Sequence, residues 1–220
     1  MGNNLIVFVI CLFGIIESRA QQVAKIDTSN FLYSVPTISS EIAKAENTSA
    51  GPEKNDLVVY EDNWCQVEFL LASQLEKVKT MLTDYKKFES ENRTKYGWKN
   101  VYVRIFEKES ILSGKADLNS VMSLLKQNKN GNLFLSSTEG NAKANNGFSI
   151  YIGGNISLYG TTTERGIHEL CAEVGQKPDN KNLMKTFSLL NEKCHIILVD
   201  WIGQVVLIEG KSNEKYVWKP

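Results

Sequence analysis

The residues best suited to covalent chemistry are Glu164, His168 and Cys171. Residues 161–174 read as a helix ended by Gly175, and on a helix positions i, i+4 and i+7 share one side. A thiolate nucleophile needs a base that lowers the thiol pKa within reach. His168, three residues from Cys171, would be that base, and Glu164 would orient its imidazole. The same stretch also reads as packing. Ile167, Leu170, Cys171 and Val174 recur at helical spacing, and a thiol within such a stripe is inert or bridged. The packing reading is the stronger, because Cys171 sits within that apolar stripe.

Other constellations fall short of a site. His168-Glu169 does not extend into a zinc-protease motif, because that motif needs a second His where Ala172 stands. Cys171, His168, Cys194 and His195 match no standard zinc spacing. Gly153-Gly154 lacks the following helix and the Lys-Ser/Thr of a phosphate loop. No metal and no cofactor are therefore expected. The surface candidates are aromatic. Tyr102 and Arg104 share one face of a strand, and Tyr151 and Tyr159 share the non-core face of a hairpin. Tyr and Arg on an exposed sheet face suit recognition of another protein.

The elements that must hold these residues follow from pattern. Residues 57–60 and 64–71 read as strands, with Cys65, Val67 and Phe69 facing inward and Gln66 and Glu68 outward. Residues 73–92 carry Leu75, Val78, Leu82, Tyr85 and Phe88 at three- and four-residue steps, an amphipathic helix with Ser73 and Glu76 as a capping box. Residues 98–107 read as a strand. Asp117 is placed as the N-cap of a second helix, closed by Asn130-Gly131. Residues 133–136 form a short strand. Residues 148–159 form a hairpin. A Gly153-Gly154-Asn155 loop puts Phe148, Ile150, Ile152, Ile156 and Leu158 on one face and Ser149, Tyr151, Ser157 and Tyr159 on the other. A helix over 181–190, with Asn180 as its cap, precedes two strands, 196–200 and 204–209. Gly203 is assigned the left-handed position between them. These last strands are apolar on both faces and belong in the middle of a sheet. The fold class is α+β: a mostly antiparallel sheet built from hairpins, with about four helices packed on one face.

Composition bounds the rest. Lys+Arg and Asp+Glu both number 25 in 220 residues, so no global field draws the chain to nucleic acid or anionic lipid. Residues 5–16 are an unbroken apolar dozen, too short for a membrane-spanning helix of about 20 residues but right for a signal-peptide core. Ser18 and Ala20 supply small side chains for a cut before Gln21. The expected organisation is a signal peptide over 1–20, a polar flexible leader over 21–56 and one domain over 57–220, with no transmembrane segment after cleavage. Such a chain is secreted or periplasmic. An oxidising compartment permits one bridge among Cys65, Cys171 and Cys194, with three pairings open. The expected function is an exported, non-catalytic protein-binding domain of inhibitor or immunity type. The alternatives are a secreted thiol hydrolase using Cys171 and His168, and a small-ligand carrier.

Overall fold

The computed structural model describes residues 32–105, 117–127, 129–210 and 214–220. The expected signal peptide lies outside the described residues, as do Phe106 and Glu107 at the end of the strand anticipated over 98–107. Among the described residues, no helix is long and apolar enough to cross a membrane.

The architecture is built on a seven-stranded sheet in which every pairing is antiparallel. Its members are β4 (Val67–Leu71), β8 (Gly147–Gly153), β9 (Ile156–Thr163), β10 (Gly166–Val174), β11 (Ile196–Asp200), β12 (Val205–Glu209) and β13 (Lys215–Trp218), in spatial order β13-β12-β11-β4-β10-β9-β8. A second sheet of four strands runs β2-β7-β6-β3: β2 is Ala45–Glu46, β3 Leu57–Tyr60, β6 Leu133–Ser137 and β7 Gly140–Ala144. A two-stranded parallel ribbon joins β1 (Thr37–Ser39) to β5 (Tyr102–Arg104). The helices are α1 (Leu75–Asn92), α2 (Leu118–Leu124) and α3 (Asn180–Cys194).

Alternation along β4 explains the layering. Phe69 points to a core it shares with Leu198, Leu207 and Phe187 of α3, and Val121 of α2 packs there too. Leu70 points the other way, to Ile197, Val199, Val206 and the α1 stripe of Val78, Leu82 and Tyr85. Further along that second side, Tyr159 and Cys171 pack with Val59, Leu133 and Leu135 of the small sheet. Helices α2 and α3 therefore cover one face, and α1 with the small sheet covers the other. The expectation of helices on one face is corrected: the central strands are apolar on both sides, and each side needs its own cover.

The main correction is the third helix. Residues 161–174 are the end of β9, a tight turn and β10. The helical spacing of Ile167, Leu170, Cys171 and Val174 arises because a strand buried on both faces has apolar residues at nearly every position, and these satisfy either period. Among the described residues three α-helices stand where about four were expected. The strand signals were the β-branched run Thr161-Thr162-Thr163 and Gly166, whose φ of +116° suits the turn. Within the expected domain, two further strands among the described residues were not anticipated. The polar β7 pairs between β6 and β2, and β13 forms an edge. Part of the expected leader is also structured, since β1 pairs with β5, β2 pairs with β7, and Thr37 is buried.

Local capping differs in detail. Asp117 caps α2 as expected, its Oδ1 accepting from the Ser120 N–H at 2.8 Å. That helix ends at Leu124, before Asn130-Gly131. Gly131 instead makes a bridge to Ser149, with Asn55 O where its Cβ would lie. At α3 the cap is Asp179, one residue before the expected Asn180. At α1 no side chain caps the first turn, so the Ser73–Glu76 box does not form. Between β11 and β12 the left-handed residue is Gln204 (φ +52°), and Gly203 N–H donates to Asp200 Oδ1. The β8–β9 hairpin keeps the expected faces: Ile150 stands opposite Leu158 and Ser149 opposite Tyr159, with left-handed Gly154 and Asn155 at the tip.

Gly160 of β9 is dictated by its partner strand. A Cβ there would lie 1.8 Å from the Glu169 carbonyl oxygen, with no flexible side chain to yield. Gly160→Ala is expected to cost about 3 kcal/mol or more in urea unfolding, as overpacking against backbone does. Gly51→Ala, with nothing within 4 Å, is expected to change stability by less than about 0.5 kcal/mol.

Candidate functional site

The densest chemistry lies at a buried centre where β4 begins. Trp64 and Cys65 precede that strand, and Cys65 adopts φ +52°, a left-handed conformation unusual for a residue with a Cβ. This kink breaks the alternation that would have continued β4 backwards. It sends the Cys65 side chain to the same cluster as Cys171, although Glu68 rather than Cys65 is the register partner of Cys171. The two Sγ atoms are 2.8 Å apart, and both residues are fully buried. The Tyr159 hydroxyl holds the kink, accepting from the Cys65 N–H at 2.9 Å and donating to Asn63 O at 3.3 Å. The Trp64 and Tyr159 rings pack at 5.4 Å. Burial, and then the sulfurs of Cys171 and Cys65, push the Tyr159 phenol well above its ordinary pKa.

Arg104 enters this centre from β5. Its Nη1 donates to Thr37 Oγ1 at 3.0 Å and to Gln66 Oε1 at 3.1 Å, and its Nη2 donates to the carbonyls of Cys65 and Trp64 at 3.0 and 3.3 Å. The guanidinium stands 5.1 Å over the Trp201 ring, and the Trp201 indole N–H donates to Glu68 Oε2 at 3.0 Å. Gln66 Nε2 completes the web by donating to Thr37 O and Asp62 O, each at 2.7 Å. Burial pulls the Arg104 pKa down, and the Glu68 carboxylate opposes that pull. A guanidinium stays charged in a protein. The group is therefore a buried cation compensated by a carboxylate, carbonyls and an aromatic face.

The residues proposed for chemistry are not assembled into a catalytic set. With β10 a strand, Glu164, His168 and Cys171 have no common helix face. Glu164 is exposed in the turn, and His168 falls at the irregular step between Ile167 and Glu169. Cys171 has no exposed surface, so a substrate carbonyl has no path to its sulfur. Cys194, at the end of α3, packs against the opposite core cluster from Cys65 and Cys171. The surface candidates divide in the same way. Tyr151 is exposed, while Tyr102 is half-buried against Tyr85 and Phe88 of α1. Arg104 and Tyr159 are core residues, correcting their assignment to an exposed face: α1, the small sheet and the β1 ribbon cover that side.

Among the described residues, Cys65, Glu68 and Cys171 form a potential three-ligand cluster, their ligand atoms within 4.8 Å of one another. The sulfur spacing does not fit a tetrahedral metal. Two thiolates on zinc at about 2.3 Å each stand roughly 3.7 Å apart, well beyond 2.8 Å. Sequence reasoning missed Thr37, Gln66, Glu68 and Trp201. Alternation had placed Gln66 and Glu68 in solvent.

The open surface offers a different feature, a cleft of about 590 Å³ beside Tyr151. Lys54, Lys126 and Lys129 line it with Ser149, Tyr151 and Ser157. Asp56 is its one carboxylate, so three lysines less one aspartate leave a net +2. Burial of Asp56 is outweighed by hydrogen bonds from the Glu53 N–H and from Asn132, which hold its pKa below the ordinary value. Among the described residues none of the three lysines forms an ion pair. Compared with protein-family models, with curated proteins and with solved structures, the chain matches none.

Two outcomes test the buried centre. Arg104→Leu is expected to cost about 3–5 kcal/mol in urea unfolding, because Glu68 is then a buried charge without its cation. Adding Glu68→Gln is expected to recover part of that loss, a coupling read from the double-mutant cycle. Glu173 of β10 is half-buried, and burial raises its pKa above 4.5. A raised carboxyl stabilises the fold only while protonated, so its contribution is present below pH 4.5 and lost as pH rises through the folded value. Glu173→Gln is accordingly expected to raise the Tm at pH 7 and to leave it unchanged near pH 4.

Proposed function

We propose that this chain is an exported, non-catalytic binding protein that engages an acidic segment of another protein through the cleft beside Tyr151. The observation that carries the reading is the cleft itself: three lysines without acidic partners among the described residues, beside a tyrosine that is 61% exposed. A cleft with a net positive lining concentrates a counter-charged ligand and accelerates its encounter. An exposed tyrosine adds an aromatic anchor with few rotamers to freeze. Ser149 and Ser157 bring hydroxyls to the same lining. An open, polar lining suits a peptide segment better than an apolar small molecule, which calls for an enclosed apolar pocket. Export is supported by the apolar dozen at residues 5–16 and the small residues Ser18 and Ala20.

Binding of a fluorescent poly-glutamate peptide, followed by polarisation, tests the cleft. The Kd is expected to rise at least tenfold in a variant carrying Lys54→Glu, Lys126→Glu and Lys129→Glu, with its melting curve unchanged. Affinity should also fall as salt increases, since exposed charges are screened. Equal binding by wild type and triple variant would overturn the assignment. Export is read separately: protein recovered from its own cells is expected outside the cytoplasm and starting at Gln21.

A further inference from the structure

We infer that Cys65 and Cys171 are a disulfide pair, and that Cys194 stands outside that pair. The inference rests on the buried centre and is independent of the lysine cleft. At 2.8 Å the two sulfurs are inside the roughly 3.5–4 Å separation of non-bonded heavy atoms. They are also outside the roughly 2.05 Å of a covalent bond. Closing the pair needs a shift of less than an ångström in two side chains.

Three further features place the sulfurs together. The left-handed kink at Cys65 is one. The Tyr159 hydroxyl that holds its N–H is the second. The third is that β4 and β10 are direct neighbours in the sheet. A strained backbone at a residue with a Cβ persists only where its surroundings over-determine it. A cross-link between residues 65 and 171 supplies such a reason. A zinc ion would need the same sulfurs to move apart to about 3.7 Å, whereas they already lie closer than non-bonded contact, on the side of a covalent bond. Cys194 lies in the other core layer, which excludes it from the pair.

The reaction is a two-electron oxidation by a disulfide donor. One thiolate attacks a sulfur of an external disulfide such as oxidised glutathione, forming a mixed disulfide and releasing one glutathione thiolate. The second cysteine, as thiolate, then attacks the protein sulfur. The Cys65–Cys171 bond forms, the second glutathione leaves, and the two thiol protons pass to the glutathione thiolates. Both sulfurs are buried in the fold, so exchange takes place before packing is complete and the product is shielded afterwards.

The test is a peptide map of full-length chain refolded in vitro with reduced and oxidised glutathione, so that it does not depend on export. After refolding, the protein is denatured and alkylated without reductant. The expected map contains one linked peptide pair holding Cys65 and Cys171, lighter by two hydrogens than the separate peptides, with Cys11 and Cys194 alkylated. Alkylation of both Cys65 and Cys171 would overturn the pairing, and so would a link that joins either of them to Cys11 or Cys194. A second measurement stands even if single variants fold poorly. Reductant present throughout refolding is expected to lower the wild-type Tm by about 10 °C, given the stabilisation typical of a bridge closing a loop of about 100 residues. The Cys194→Ser variant should show the same drop. A wild-type Tm that ignores the reductant would argue against the bridge.

Discussion

The fold depends on satisfying one buried guanidinium. Arg104 sits in a short parallel ribbon at the margin of the architecture, yet its four hydrogen bonds reach β1, the entry to β4 and the kink at Cys65. A charge at that depth is costly, and the side chains of Gln66, Thr37 and Glu68 around it are engaged in hydrogen bonds. Gln66 uses its amide on Thr37 and Asp62, Thr37 returns a bond to Tyr102, and Glu68 holds the Trp201 indole. These contacts tie segments up to 133 residues apart into one register. Apolar packing alone would leave the ribbon free to slide.

The web also explains how a three-layer structure accommodates a central strand that is apolar on both faces. β4 places Phe69 against α3 and Leu70 against α1, and the polar Glu68 falls where the second layer changes from helix to small sheet. A covering helix and a covering sheet meet imperfectly, because their surfaces have different periods. The seam is where charge, aromatic rings and sulfur are gathered. The solvent-facing chemistry is elsewhere, at the cleft beside the β8–β9 hairpin. The buried web and the cleft proposed for recognition are thus separate parts of the molecule.

Much of the fold was legible from local pattern. The α1 stripe, the Asp117 cap and the faces of the β8–β9 hairpin follow from periodicity and turn chemistry, which act over a few residues. β10 was not legible, because Ile167, Leu170, Cys171 and Val174 fit a helix as well as a strand buried on both sides. Only β4 and β9 on either flank decide between them. The polar β7 lacked an alternating apolar signal, since its stability comes from pairing with β6 and β2.

The candidate site shows the same division. Residue types along the chain determined that cysteines, a histidine and surface aromatics were available, that the charge balance was neutral and that an apolar dozen opens the sequence. Which cysteines meet, whether Arg104 faces water or core, and which tyrosine remains exposed were decided by tertiary structure. The physical reason is range. Propensity, capping and periodicity act between near neighbours, while the cost of burying a charge or a sulfur depends on what distant segments bring to the same point. Cys65 and Cys171 are separated by 106 residues and meet only because a left-handed kink and a strand pairing coincide.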